Sequence, residues 1–153
     1  MSNAKPAAAT ALEELATQAA QLPGAQRFSD EDLELVYGIA YNLYRHGRHD
    51  DALRYFAMLT SYRPLETRYL LGLGACQQML RNYEGAIQAY ALAAMVRPEA
   101  PEPSLHIAEC LVAQAQFAEA RTTLEALIRL CELSGQTALE QRARGLLELI
   151  GER

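Results

Sequence analysis

The stretch GACQQMLRNYEGAIQAY, residues 74–90, decides the fold of this 153-residue chain. It holds a small residue, an aromatic residue, an alanine and a second aromatic residue at fixed spacing: Gly74, Tyr83, Ala86 and Tyr90. The same arrangement occurs once earlier in the chain, with an imidazole as the first ring, and once later, with leucine replacing the last ring. The earlier set, 34 residues before the first, is Ala40, His49, Ala52 and Phe56. The later set, 34 residues after it, is Ala108, Phe117, Ala120 and Leu124.

A period of about 34 residues with this order of residue types is typical of the tetratricopeptide repeat, a helix–turn–helix unit that stacks into a superhelix. The sequence therefore predicts an all-α chain with three such repeats between an N-terminal helix and a C-terminal capping helix. The predicted parts are the N-terminal segment 1–28, the repeat region 29–134 with repeats at 33–66, 67–100 and 101–134, and the capping segment 135–153. Such stacks perform no chemistry; they bind peptide on their concave face.

Helix boundaries can be predicted from capping and turn residues. Ser29 followed by three carboxylates favours a helix start, because the hydroxyl caps free backbone N–H groups and the acids suit the helix N-terminus. Gly47 predicts the turn of the first repeat, a position that Ala115 fills in the third. Pro64 and Pro98 end the first two repeats, because the residue before a proline avoids the α region. The predicted helices include 50–61, 67–80, 83–96 and 137–150. Gly135 is predicted to end the second helix of the third repeat.

Small residues at repeat positions predict close helix contacts. Ala40, Gly74 and Ala108 are expected where the two helices of one repeat approach each other. Ala52, Ala86 and Ala120 are expected where the second helix meets the next repeat. A bulky replacement at Gly74 or Ala86 should overpack the stack.

Composition limits the classes of partner. The formal net charge is −5, with one lysine and no tryptophan, which argues against binding to nucleic acid or to an anionic membrane. No apolar run approaches the roughly 20 residues that span a bilayer. The first residues lack a charged-then-apolar signal segment, so we expect an intracellular protein; Ser2-Asn3-Ala4 is interpreted as a tag remnant.

The three cysteines are Cys76, Cys110 and Cys131. Cys76 and Cys110 are separated by one full repeat, so they occupy equivalent helix positions. We interpret them as small core residues rather than redox or metal groups.

An apolar stripe precedes the repeats. Ala8, Leu12, Leu15, Ala16, Ala19 and Leu22 fall on one helical face, and Pro23-Gly24 ends that helix. The stripe needs a partner, either the repeat stack or a second copy of the chain.

The first helix of each repeat is expected to line the groove. The predicted peptide-binding residues are Tyr37, Tyr41 and Tyr44 in the first repeat, Leu71, Ala75 and Gln78 in the second, and Leu105, His106 and Glu109 in the third. The groove would be aromatic at one end, apolar in the middle and lightly polar at the far end. His106 is either a donor to bound peptide or a satisfied surface imidazole.

The tyrosine stripe has two interpretations. Aromatic residues at helical spacing are usually core, but the core positions of this helix are assigned to Val36, Ile39, Ala40 and Leu43. The tyrosines would then be available to bind a ligand, and their large area and polar tip suit that role. A clamp for a peptide carboxylate would need basic and amide groups, whereas the equivalent positions hold Tyr37, Tyr41 and Leu71.

Other candidate chemistry is weak. His46 and His49 have the spacing of two metal ligands, but no further ligand lies nearby beyond Asp50, so no metal site is expected. The sequence contains no catalytic triad pattern, phosphate loop or activated lysine. We predict a protein that is not an enzyme and needs no cofactor.

Several motifs resemble those of the class II type III secretion chaperones. They are AYNLY at residues 40–44, Arg68-Tyr69, GLGACQ at residues 72–77, and Pro101-Glu102-Pro103 followed by His106. The resemblance extends over about residues 33–130, and the GLGACQ run is more specific than a generic repeat. Arg48-His49 and Leu105 depart from the family pattern.

The resemblance implies a bacterial cytoplasmic chaperone that binds hydrophobic translocator proteins. These clients are held by an extended, proline-bounded N-terminal segment in the groove, without use of ATP. Dimerisation through the N-terminal helix is also implied, here by Leu12, Leu15, Ala19 and Leu22. A transcription activator is a further partner of some members. The alternative is a repeat scaffold that binds a folded partner permanently in a larger bacterial assembly.

Overall fold

The computed structural model describes Glu14, Thr17 and residues 28–151 of the chain. Within residues 28–151 the chain is all α-helical, with seven helices and no strand. They are α1 (Asp30–Arg45), α2 (His49–Tyr62), α3 (Thr67–Met79), α4 (Tyr83–Val96), α5 (Glu102–Ala113), α6 (Phe117–Ser134) and α7 (Thr137–Ile150). None of the helices in the described ranges is long and apolar enough to span a bilayer. The predicted all-α repeat fold is confirmed, and the predicted ends of the repeat helices agree within one residue.

Local side-chain caps mark the start of some of the helices, including α1 and α4. The backbone N–H of Asp32 donates to Ser29 Oγ (3.1 Å), and that of Ser29 donates to Asp32 Oδ2 (2.9 Å), which forms a capping box at the start of α1. Asn82 caps α4 by accepting from the Gly85 N–H at 3.2 Å. The predicted helix start at Ser29 is therefore confirmed.

The turn inside each repeat needs a left-handed backbone at the same position. Gly47 has φ of 75°, and the equivalent residues of the second and third repeats, Arg81 and Ala115, have φ of 62° and 58°. Glycine adopts this conformation freely, whereas residues with a Cβ atom are strained in it. Gly135 ends α6 in the same conformation, as predicted.

Replacing Ala115 by glycine should relieve this strain and stabilise the protein. We expect a gain of about 0.5–1 kcal/mol in the free energy of unfolding, since the relieved strain exceeds the entropy that glycine adds to the unfolded chain. Urea unfolding followed by circular dichroism measures it. Gly47→Ala should have the opposite sign, and a loss of stability in Ala115→Gly would contradict this reading of the turn.

Each helix packs against the next, and small residues sit at the closest contacts. Ala40, Ala52, Ala86, Ala108 and Ala120 are all fully buried. Gly74 is also buried, and a Cβ atom added there would lie 2.7 Å from the ring of Tyr90 on the second helix of the same repeat. The predicted close approach within the repeat is confirmed at this position.

One core assignment from the sequence is wrong. The first-repeat core is the buried cluster of Leu33, Ala40, Ala52, Phe56, Leu59, Tyr69 and Cys76. Ile39 is 48% exposed, whereas Ala40 is buried in this core and Val36 and Leu43 pack half-buried against it. The equivalent position of the second repeat is Leu73, which packs against the first-repeat core. Within residues 28–151 no repeat precedes the first one, so the Ile39 side chain has no repeat to pack against and is exposed to solvent.

The three cysteines are buried, as predicted. Burial raises the pKa of the Cys76 and Cys110 thiols to about 11. It also raises the pKa of Cys131. The folded state therefore holds these thiol protons more tightly than the unfolded chain does.

The native thiols should react slowly with a thiol reagent at pH 8. We expect labelling to be slower than for an exposed cysteine by roughly 100-fold or more, because little thiolate forms and access is blocked. All three should label after unfolding in guanidinium. The raised thiol pKa values also make the free energy of unfolding depend on pH. Their contribution is fully present below the unfolded pKa of about 9. It is lost as the pH rises towards 11, the folded pKa of Cys76 and Cys110, because only the unfolded chain releases its thiol protons in this range. Rapid native labelling would contradict the buried placement.

Candidate peptide-binding groove

The first helices of the three repeats, α1, α3 and α5, supply most of the lining of an open cavity of about 380 Å³. Six of the nine residues predicted to bind peptide line it: Tyr37, Tyr41, Tyr44, Leu71, Ala75 and His106. They come from all three repeats, because equivalent positions of successive repeats lie side by side in a stack. Phe56, Arg68, Gly72, Tyr90 and Glu102 complete the lining.

The three tyrosines divide between core and surface. Tyr37 and Tyr44 pack partly against the first-repeat core, and Tyr44 also contacts His49, with ring centroids 5.2 Å apart and ring planes tilted by 57°. Partial burial raises the pKa of Tyr44. Tyr41 is 49% exposed and lies over Tyr37, with centroids 6.3 Å apart and nearly parallel rings. The core interpretation of the stripe thus applies in part to Tyr37 and Tyr44, whereas Tyr41 leaves about half of its aromatic surface open.

The floor of the cavity depends on Gly72, which was not among the residues predicted to form the groove. A Cβ atom at Gly72 would collide with the ring of Phe56. The absence of a side chain therefore lets the Phe56 ring lie directly beneath α3 and form an apolar floor. Phe56 itself is buried in the first-repeat core.

Arg68, also not among the predicted groove residues, supplies a cation to the cavity wall. Its guanidinium lies over the Tyr37 ring, 4.9 Å from the centroid. It is bonded to Glu34 at 2.5 Å and to Glu66 at 3.3 Å. The positive charge at this wall is therefore already paired. The repeat period could have indicated this pairing, because Glu34, Arg68 and Glu102 occupy equivalent positions of the three repeats.

A hydrogen-bonded network closes the far end of the cavity. Glu109 accepts from His106 Nδ1 (3.0 Å to Oε2), from Gln78 Nε2 (3.4 Å to Oε2) and from Arg142 (3.0 Å to Oε1). The Tyr90 hydroxyl donates to Gln78 Oε1 at 2.9 Å. The bond from His106 and, secondarily, the neighbouring cations and amide hold the pKa of Glu109 below its usual value. Gln78 and Glu109 thus stand behind His106, which stacks on Tyr90 with centroids 5.0 Å apart.

Leu105 does not reach the cavity surface. It is 1% exposed and belongs to a core cluster that α6 and α7 complete, with Leu124, Leu127, Ala143 and Ile150 among its members. The capping helix draws this position into the core, unlike the equivalent Tyr37 and Leu71. This corrects the placement of Leu105 on the groove surface.

The histidines at the first turn have ordinary packing roles. His46 Nδ1 lies 2.7 Å from the backbone carbonyl of Asn42, and His49 packs on Tyr44. Among the described residues no group of three or more potential ligands is arranged to hold a metal ion. The predicted dimerisation residues Leu12, Leu15, Ala19 and Leu22 lie outside the described residues.

Comparison with known proteins places this chain in a family. A tetratricopeptide repeat model matches residues 78–130. PcrH of Pseudomonas aeruginosa, solved in complex with the chaperone binding region of PopD, is 33% identical with a TM-score of 0.76, over 81% of this chain and 94% of that one. The chain belongs to the class II type III secretion translocator chaperones.

Two further relatives extend the comparison. The translocator chaperone SycD of Yersinia enterocolitica, solved with a peptide of the translocator YopD, is 32% identical, with a TM-score of 0.76 over 82% of this chain and 96% of that one. Low calcium response locus protein H of Yersinia pestis is 36% identical over 96 residues, which is 63% of this chain. The match spans 57% of the length of that relative.

Proposed function

We propose that this protein is a chaperone for hydrophobic translocator proteins of a type III secretion system. It would hold an extended segment of the client in the 380 Å³ cavity between α1, α3 and α5. The observation that carries the proposal is the open apolar cavity, lined by Tyr37, Tyr41 and Leu71, in a fold shared with chaperones solved with translocator segments.

The physical character of the cavity fits transient binding. Two or three apolar anchors buried at about 1.5–3 kcal/mol each are offset by several kcal/mol of ordering cost for the client segment. The result is a modest affinity, which suits a client that is later released to a secretion apparatus. Holding and releasing a segment needs no bond making or breaking, so the proposal includes no catalytic step and no cofactor.

Location and assembly follow the same proposal. A protein that keeps clients ready for export acts in the bacterial cytoplasm. Dimerisation through Leu12, Leu15, Ala19 and Leu22 is part of the proposal, because the short helix that the sequence predicts there would be stable only with its apolar side covered.

Co-expression with a translocator of the same organism tests the proposed function. We expect the translocator to be insoluble alone and to become soluble and co-purify when this protein is present. The Tyr55→Ala variant, changed at an exposed residue of α2 that does not line the cavity, should rescue the client as well as the wild-type protein does. A client that stays insoluble with the wild-type protein would contradict the proposal and favour a scaffold that binds a folded partner.

A further inference from the structure

We propose that the client segment held in the cavity carries a basic side chain, lysine or arginine, next to its apolar anchors. Glu102 would form the ion pair with that side chain, and His106 would be a neighbouring hydrogen-bond acceptor. This inference rests on the proposed function and specifies the chemistry of the segment that the site takes.

The first support is the charge balance of the cavity wall. Its charged lining groups are Arg68 and Glu102. Arg68 turns back to the preceding repeat, where Glu34 (2.5 Å) and Glu66 (3.3 Å) neutralise it. Glu102 is exposed and forms no ion pair or side-chain hydrogen bond within residues 28–151. The unpaired charge that faces the cavity is therefore negative.

The second support is the tautomer of the neutral His106 imidazole. A carboxylate only accepts hydrogen bonds, so the Nδ1 that lies 3.0 Å from Glu109 Oε2 carries the proton. Arg142 and Gln78 bond the same carboxylate and favour its ionised form. In a neutral imidazole the other nitrogen, Nε2, is then an acceptor without a partner in the described part of the chain.

These two acceptors lie on one face of α5. Glu102 and His106 are four residues apart, which places them one turn above each other on the helix. Apolar surface for the anchors lines the same cavity, at Tyr41, Leu71 and Ala75. A long basic side chain matches this arrangement, because its alkyl stem packs on apolar and aromatic surface while its donors reach the acceptors. An acidic side chain would meet an unpaired carboxylate and be repelled.

A peptide scan tests the inference. Peptides that span the chaperone binding region of PopD carry lysine, uncharged norleucine or glutamate at each position in turn, and their dissociation constants are measured by calorimetry at low salt. At one register we expect lysine to bind about fivefold more tightly than norleucine, with glutamate weakest, as for a partly exposed ion pair. In Glu102→Gln the preference for lysine should fall below about twofold.

A matched control removes a carboxylate elsewhere. Glu125 on α6 is exposed and has no bonded partner within residues 28–151, so Glu125→Gln should keep the lysine preference. Long-range nitrogen–proton correlation spectra at pH 7.5 should show His106 with its proton on Nδ1. Equal affinities for lysine and norleucine at every register, or a proton on Nε2, would overturn the inference while leaving the proposed function intact. No binding of any peptide would instead reject the proposed function.

Discussion

Tyr41→Ala should weaken binding of a translocator segment by about 30-fold, or roughly 2 kcal/mol. The physical reason is that Tyr41 is 49% exposed in the free protein and stacks on Tyr37 at the cavity mouth. A ligand that covers it would bury about half of an aromatic side chain, and truncation loses that burial. Because this ring is largely outside the core, the free energy of unfolding should change by less than about 1 kcal/mol. Fluorescence titration and urea unfolding measure the two effects.

Tyr55 gives a matched control. It is 38% exposed, lies on α2 and does not line the cavity. Tyr55→Ala should therefore bind the peptide with wild-type affinity. Equal affinities for the wild-type, Tyr41→Ala and Tyr55→Ala proteins would remove Tyr41 from the binding surface. Tyr44 is less suitable for this test because it also packs in the core, so its removal would affect stability and binding together.

Gly72→Ala should lower the free energy of unfolding by about 1–3 kcal/mol through overpacking. The added Cβ atom would collide with the ring of Phe56, which is buried and has little room to move. The displaced ring would also deform the cavity floor, so peptide affinity should fall in the same variant. Chemical denaturation with circular dichroism detection gives the stability change.

The same substitution one repeat earlier should have the opposite effect. Gly38, on α1, is the equivalent of Gly72 in the first repeat, and an added Cβ atom there would meet nothing within 4 Å. Gly38→Ala should raise stability by about 0.5–1 kcal/mol, because alanine is favoured over glycine inside a helix. Destabilisation by Gly38→Ala, or neutrality of Gly72→Ala, would contradict the packing described for the floor.

The parts of the fold that sequence predicts well are those set by local chemistry. Ser29 fixes the start of α1 through its own hydrogen bonds, and Gly47 and Gly135 mark backbone positions that favour glycine. The repeat period then relates each helix to its equivalent. Because equivalent residues of stacked repeats lie next to each other, the same period brought Tyr37, Leu71 and other cavity residues together.

The errors arise where the stack begins and ends. Repeat periodicity treats every repeat as internal, yet Ile39 faces the open side of the first repeat and Leu105 is covered by the C-terminal cluster that includes α7. The pairing of Arg68 with Glu34 was missed for another reason. A single helical pattern shows which face a charge occupies, but not which neighbour neutralises it.

The central claim is that a translocator segment binds in the cavity between α1, α3 and α5. Calorimetric titration of the full chain with the chaperone binding region of PopD tests it most directly. We predict saturable binding of one peptide per chain, with an affinity that falls in Tyr41→Ala and is unchanged in Tyr55→Ala. No heat of binding at high micromolar peptide, or binding that is identical in both variants, would contradict the claim.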